Sequence, residues 1–253
     1  MLIESISVSR TKLYEECEQK YKYKYHLKIP SPEPTPVYFD YGKVVHKIIE
    51  EHTLGRGKKA INDCIKSVMS GEVELEPGKT CPDLPLEYKN KLPGHIKAYM
   101  RLAEKIGTDG MVEWKFQIDM DPPHGRYMLG FIDRLIQKGD EFFILDWKTT
   151  KKGPWRENKY TVKESLQLQT YCRVVQKTFG ADPSKIRAGL YFLEGGELIG
   201  ASYTEKTLDA VEKKLCETHK AIKATDPDQV LGNVGPWCKR CEYRKLCPFY
   251  SLT

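Results

Sequence analysis

The stretch from Gly130 to Thr149, GFIDRLIQKGDEFFILDWKT, decides the fold. It reads as two strands joined by a tight turn at Lys138-Gly139-Asp140. Asp133 lies on the first strand, and Asp146 and Lys148 lie on the second. Side chains alternate along a strand, so Asp146 and Lys148 share one face and Trp147 takes the other. Antiparallel pairing brings Asp133 beside Asp146. Two adjoining carboxylates repel unless positive charge sits between them. A hard divalent cation resolves the repulsion, and oxygen ligands suit Mg²⁺ or Mn²⁺. Lys148 then either positions or deprotonates an attacking water, or stabilises the extra negative charge of a pentacovalent phosphate. A plain salt bridge between Lys148 and the aspartates is the competing reading. The apolar run Phe142 to Leu145 weighs against it, because a buried central strand that ends in Asp and Lys needs a reason.

Working outward, 113–120 alternates like a strand and is followed by a turn at 121–125 (DPPHG). Further strands are expected at 186–194 and 197–203, separated by the Gly195-Gly196 turn. An amphipathic helix is expected over 162–178 and another helix over 204–223. Before the hairpin the character is helical: 9–27 with Ser9 or Thr11 as cap, 40–54, a short piece at 58–70, and 84–106 interrupted at Leu92-Pro93-Gly94. The four prolines of 29–38 make an extended loop, and 71–83 is loop-like.

The 253 residues carry 41 Lys plus Arg against 35 Asp plus Glu, a net charge of +6 that is compatible with a polyanionic partner without demanding one. Composition is that of a globular chain, with 40% hydrophobic and 30% charged residues. The first residues lack a basic stretch followed by an apolar run, and no run of 18 apolar residues occurs. Neither a secretory signal nor a membrane span is expected, and a cytoplasmic address follows by default. Of eight cysteines, Cys64, Cys81, Cys172 and Cys216 are scattered and read as packing residues. Cys238, Cys241 and Cys247 crowd together and suggest a metal or cluster site.

Gly130-Phe131-Ile132-Asp133 followed by Asp146-Trp147-Lys148 resembles the PD-(D/E)XK nuclease superfamily, and more narrowly its RecB-type branch, which includes the CRISPR-associated Cas4 proteins. Gly42-Lys43-Val44-Val45-His46 is similar to that branch's upstream G-x-x-x-H, and Gln167 with Tyr171 to its downstream Q-x-x-x-Y. The resemblance runs from Cys17 to Cys247. It implies an α/β restriction-endonuclease-like fold, a mixed central sheet flanked by helices. It implies a metal shell of His46, Asp133, Asp146 and the main-chain carbonyl of Trp147, with Glu50 as a possible outer contact. Gln167 and Tyr171 would orient Lys148 and touch DNA, joining Asp133, Asp146 and Lys148 as catalytic residues.

The same resemblance makes Cys17 the fourth partner of Cys238, Cys241 and Cys247 in a [4Fe–4S] site. Spacing alone leaves Zn²⁺ open. The implied organisation is an iron–sulfur region of 1–30 and 224–253, a helical region of 31–111 bearing His46, and a nuclease core of 112–223. Lys151, Lys152, Trp155 and Arg156, leaving the catalytic strand, together with Tyr171, are candidate nucleic-acid contacts. The Lys20 to Tyr25 alternation of charge and ring is a second candidate. The expected activity is a metal-dependent exonuclease on single-stranded DNA ends, in recombination, repair or CRISPR adaptation, with protein partners from those processes. The alternative is a non-catalytic iron–sulfur DNA-binding module on the same fold.

Overall fold

A computed structural model describes residues 5–55, 58–121, 126–154 and 156–250. In chain order the elements are β1 (Ser5–Ile6), α1 (Val8–Glu16), α2 (Glu18–Tyr21), α3 (Val37–Leu54), α4 (Ile61–Met69), α5 (Leu86–Ile106), β2 (Met111–Asp121), β3 (Arg126–Lys138), β4 (Glu141–Lys148), α6 (Leu166–Phe179), β5 (Ile186–Phe192), β6 (Glu197–Ala201) and α7 (Glu205–Ala224). They fall into two compact units. One comprises Met1–Thr35, Phe116–Gly130 and Lys206–Thr253, and the other Pro36–Lys115 and Phe131–Glu205. The expected turn at 121–125 lies largely outside the described residues.

The second unit holds the decisive hairpin. β3 and β4 pair antiparallel from Arg134↔Leu145 to Lys138↔Glu141, around a turn in which Gly139 takes φ +61°. β5 lies parallel to β4 on its other side, from Phe142↔Ile186 to Lys148↔Phe192, and β6 runs antiparallel to β5. The sheet is mixed, as the sequence leads one to expect. Its strand alternation sends Leu145 and Trp147 into a core with Val44, Val45, Ile48 and Ile49 of α3 and Ile96 and Tyr99 of α5. The indole of Trp147 stands edge-on between Tyr99 and Tyr191, each centroid 5.8 Å away. The opposite face packs on α6, where Phe142 stacks on Phe179 at 5.2 Å. Asp146 and Lys148 point to this second face.

α5 corrects the sequence reading, for it is continuous through Leu92-Pro93-Gly94. Proline in a helix interior costs about 3 kcal/mol. Here Pro93 and Gly94 are exposed, while Leu92, His95, Ile96, Ala98 and Tyr99 bury the inner stripe. Packing of that stripe outweighs the lost hydrogen bond.

In the first unit, β1 pairs parallel with the start of β3, Ile6 against Met128. The single helix expected over 9–27 is instead broken. α1 is capped by Ser7, whose hydroxyl accepts the Arg10 N–H, rather than by Ser9 or Thr11. It ends at Cys17, which is extended at φ −166°, ψ 113°. α2 then starts afresh and runs into a π-helical turn over Lys22–His26. Tyr14, Tyr21 and Tyr25 fill the bend with ring contacts of 5.4 and 4.8 Å.

Candidate active site

Asp133 and Asp146 are the next residues beyond the Arg134↔Leu145 pair at which the ladder of β3 and β4 begins, so the hairpin brings them side by side. Asp133 Oδ2 accepts the Trp147 N–H at 2.7 Å, so the carboxylate is oriented by the strand that carries its partner. Both aspartates are buried, at 7% and 2% exposure. α3 is amphipathic, and its buried stripe of valines and isoleucines fixes the rotation that presents His46 to the end of the hairpin. Nε2 of His46 lies 3.0 Å from the Trp147 carbonyl oxygen. A carbonyl oxygen only accepts, so Nε2 carries a proton. Nδ1 faces Asp133 Oδ2 at 3.5 Å and Glu113 Oε1 at 3.7 Å.

Burial alone would lower the His46 pKa. Asp133 first, then Glu113 and Asp146, overcome that effect and push it up to about 9. Burial and the neighbouring Asp146 hold Asp133 well above the usual carboxylate range, against the pull of His46. These are the marks of a pocket short of positive charge.

Asp146 is turned the other way. Its Oδ2 sits 2.6 Å from the Lys148 ammonium, and its Oδ1 accepts from Gln167 Nε2 at 2.8 Å. Gln167 Oε1 accepts from Lys148 at 3.0 Å, and its amide also donates to the Tyr171 hydroxyl at 2.8 Å. Gln167 and Tyr171 are one turn apart on α6, and together they fix the rotamers of both β4 side chains. Burial opposes charge on Lys148, but Asp146, Asp133 and Glu157 prevail and raise its pKa. The amine is an ammonium at neutral pH. Burial, with Asp146 and Asp133 nearby, raises Tyr171 well above its ordinary value and keeps it a neutral phenol.

The residues singled out in the sequence thus converge, with one difference of grouping. Among the described residues, the only His, Cys, Asp or Glu ligand atoms that close to within 4.8 Å in a set of three or more are those of His46, Glu113 and Asp133. Glu113 was not foreseen. It is the third residue of β2, in a left-handed conformation, φ +44°, uncommon for a residue with a side chain. The only sequence signal was an acid at the start of a strand. Glu50, the possible outer contact, instead pairs with Lys47 at 3.0 Å. The donor set of one imidazole and carboxylates fits a divalent cation.

The candidate nucleic-acid contacts divide. Lys151 and Lys152 are exposed just beyond β4. Trp155 lies outside the described residues. Arg156 is not presented to solvent: its guanidinium lies 3.7 Å over the Phe192 ring and pairs with Glu197 at 2.7 Å. In the first unit the Lys20 to Tyr25 segment is also committed. Lys20 pairs with Glu16 and Glu242, and Lys22 with Asp228. Tyr21 and Tyr23 are buried.

Cys17, Cys238, Cys241 and Cys247 line one pocket of the first unit together with Tyr23 and Tyr243. The bend at Cys17 turns its thiol toward the other three. Around them Tyr23 donates to the Leu246 carbonyl, Tyr243 to that of Ile29, and Asn233 to that of Glu16. Cys64 and Cys172 are buried apart from this pocket.

A buried aspartate pair, a lysine and an imidazole meet at the end of a mixed sheet, a donor set of the kind that metal-dependent hydrolysis uses. The PD-(D/E)XK nuclease superfamily matches residues 5–248, and the chain belongs to it. Among solved structures, the crystal structure of SSO0001 is similar over 91% of this chain and 94% of that one, with 14% identity and a TM-score of 0.38, a likeness that carries no argument. No curated protein matches the chain. No helix among the described residues is long and apolar enough to cross a membrane.

Proposed function

We propose that the chain is a Mg²⁺- or Mn²⁺-dependent deoxyribonuclease of the RecB/Cas4-like branch, an exonuclease acting on single-stranded DNA ends. The observation that carries the reading is the Lys148–Gln167–Asp146 network set beside the His46, Glu113 and Asp133 donors. His46, Glu113 and Asp133 would hold the cation, with Asp146 and the Trp147 carbonyl within the same hairpin. When bound, the cation would polarise the scissile phosphate and acidify a water. Lys148, held as an ammonium by Asp146, would stabilise charge developing on the phosphate rather than accept a proton. Gln167 positions Lys148 and Asp146 together, and Tyr171 fixes Gln167. Lys151 and Lys152 would contact phosphates beyond the site.

The four thiols of the first unit support a [4Fe–4S] centre. Four thiolates suit such a cluster, and its part here would be to tie α1 to the residues around 238–247. DNA recombination, repair or CRISPR adaptation in the cytoplasm is the setting this activity fits.

The test is incubation of end-labelled single-stranded DNA with Mn²⁺. Wild-type protein degrades it from an end, and Asp146→Ala and Lys148→Ala each lose at least about a hundredfold in rate. Equal degradation by all three proteins would overturn the reading.

A further inference from the structure

Tyr38 and Phe39, on the first turn of α3, are each 55% exposed, yet their rings lie against one another with centroids 4.5 Å apart and tilted by 38°. Adjacent residues on a helix ordinarily point to different faces, so this pair makes one joint apolar surface in solvent. The inner side of the same turn is committed to the core. Tyr41 is buried, 5.0 Å from the Tyr88 ring, and its hydroxyl lies 2.7 Å from His95 Nδ1. Neither outward ring belongs to the core that α3 and α5 share.

Their position relates them to the metal site. Tyr38, Gly42 and His46 recur every fourth residue and form one stripe along α3. The stripe starts at an exposed ring and ends at the imidazole beside Asp133, two helical turns or roughly 12 Å further on. Between them Gly42 leaves the helix bare. A Cβ there would stand 3.6 Å from Thr149 Oγ1, so the helix at this point lies against the residue that follows Lys148. Lys151 and Lys152 continue from Thr149 and are exposed. Rings, a side-chain-free step, two ammonium groups and the reacting centre thus lie along one path within the second unit. Planar apolar surface beside cations and leading to a phosphodiester site matches the chemistry of an unpaired nucleic-acid strand, whose bases stack while its phosphates pair with lysine.

We propose that Tyr38 and Phe39 are a base-stacking platform that holds a single strand while its terminal phosphodiester lies at the metal site. The identity of the strand rests on the nuclease reading; the stacking does not. The platform selects unpaired over paired strands, because bases held in a duplex offer no free faces. It ignores sequence, because every base has a face.

The experiment is anisotropy titration of the full chain, in EDTA, with a fluorescein-labelled oligothymidine and with an abasic oligomer of the same length. Wild-type protein is expected to bind the base-bearing strand about tenfold more tightly. The variant Tyr38→Leu with Phe39→Leu keeps apolar bulk without rings. It should bind both strands equally, with the Kd that the wild type has for the abasic one. Tyr38→Trp with Phe39→Trp should retain the preference. The abasic strand reports on the fold in the same titration, since lysine–phosphate contacts remain. A leucine variant that keeps the preference, or a wild type that shows none, overturns the platform and leaves the rings to a protein partner. Degradation of the oligothymidine on addition of Mn²⁺ is read separately. Its absence sinks the nuclease reading, while a base preference lost with the rings still establishes the platform.

Discussion

The imidazole of His46 stands where a cation is wanted. Its Nε2 is committed to a carbonyl oxygen, so Nδ1 meets Asp133 and Glu113 only by carrying a second proton, and the group titrates near 9. Because this pKa lies above the ordinary histidine value, the stabilisation it gives the metal-free protein is complete below about pH 6.5 and lost as pH rises through about 9. A divalent ion competes with that proton for the same donors. Mn²⁺ affinity should therefore strengthen from pH 7 to pH 9, with proton release on binding that diminishes over the same range. Calorimetry in buffers of different ionisation heat measures both, and an affinity flat across the range would contradict it. Glu113→Gln keeps the size of the side chain and removes its charge; we expect Mn²⁺ to bind it at least about tenfold more weakly. None of this was legible for Glu113 in the sequence. Its place depends on a left-handed backbone step, and no periodicity encodes a single dihedral angle. His46, Gln167 and Tyr171 were visible only through family resemblance, since a lone histidine and a glutamine–tyrosine pair on helices carry no pattern of their own.

Among the elements, β3 and β4 were readable because period-two alternation and a glycine turn coincide, and both signals are local. α5 was misread at Pro93 for the opposite reason. The helix is kept by residues that meet it across the core, which a local rule omits. Its proline still costs stability. Pro93→Ala should raise the midpoint of urea unfolding, by roughly 1–3 kcal/mol in stability, because the restored N–H completes the helix and the site is exposed. Gly130 behaves differently from the other motif glycine. A Cβ there would come within 2.4 Å of the Phe116 ring, against the 3.6 Å contact at Gly42. Gly130→Ala is expected to destabilise by about 1–3 kcal/mol, whereas Gly42→Ala, inside α3 with only an ordinary contact to Thr149, is expected to stabilise by about 0.5–1 kcal/mol, both measured in the same denaturant series. The glycine of the hairpin motif is thus kept for packing. Arg156 gives the reverse lesson: it had the right charge in a promising loop, and the Phe192 ring with Glu197 took it inward.

At the scale of the whole molecule, the chain builds one unit from three separated stretches and the other from two. The cysteines could be grouped from their crowding, but the bend that aims Cys17 was not predictable, since 9–27 reads as uninterrupted helix. Cys241→Ser should remove the brown colour expected of an iron–sulfur protein and speed amide exchange in α1 and around 236–250. Exchange unchanged despite lost colour would show that the tyrosine and asparagine hydrogen bonds suffice to hold that region. The order of these cysteines along the chain also sets a timetable. During synthesis Cys17 leaves the ribosome first, and every residue of the second unit emerges before Cys238, Cys241 and Cys247. The pocket of four thiols can therefore be completed only after the whole of the second unit has been made.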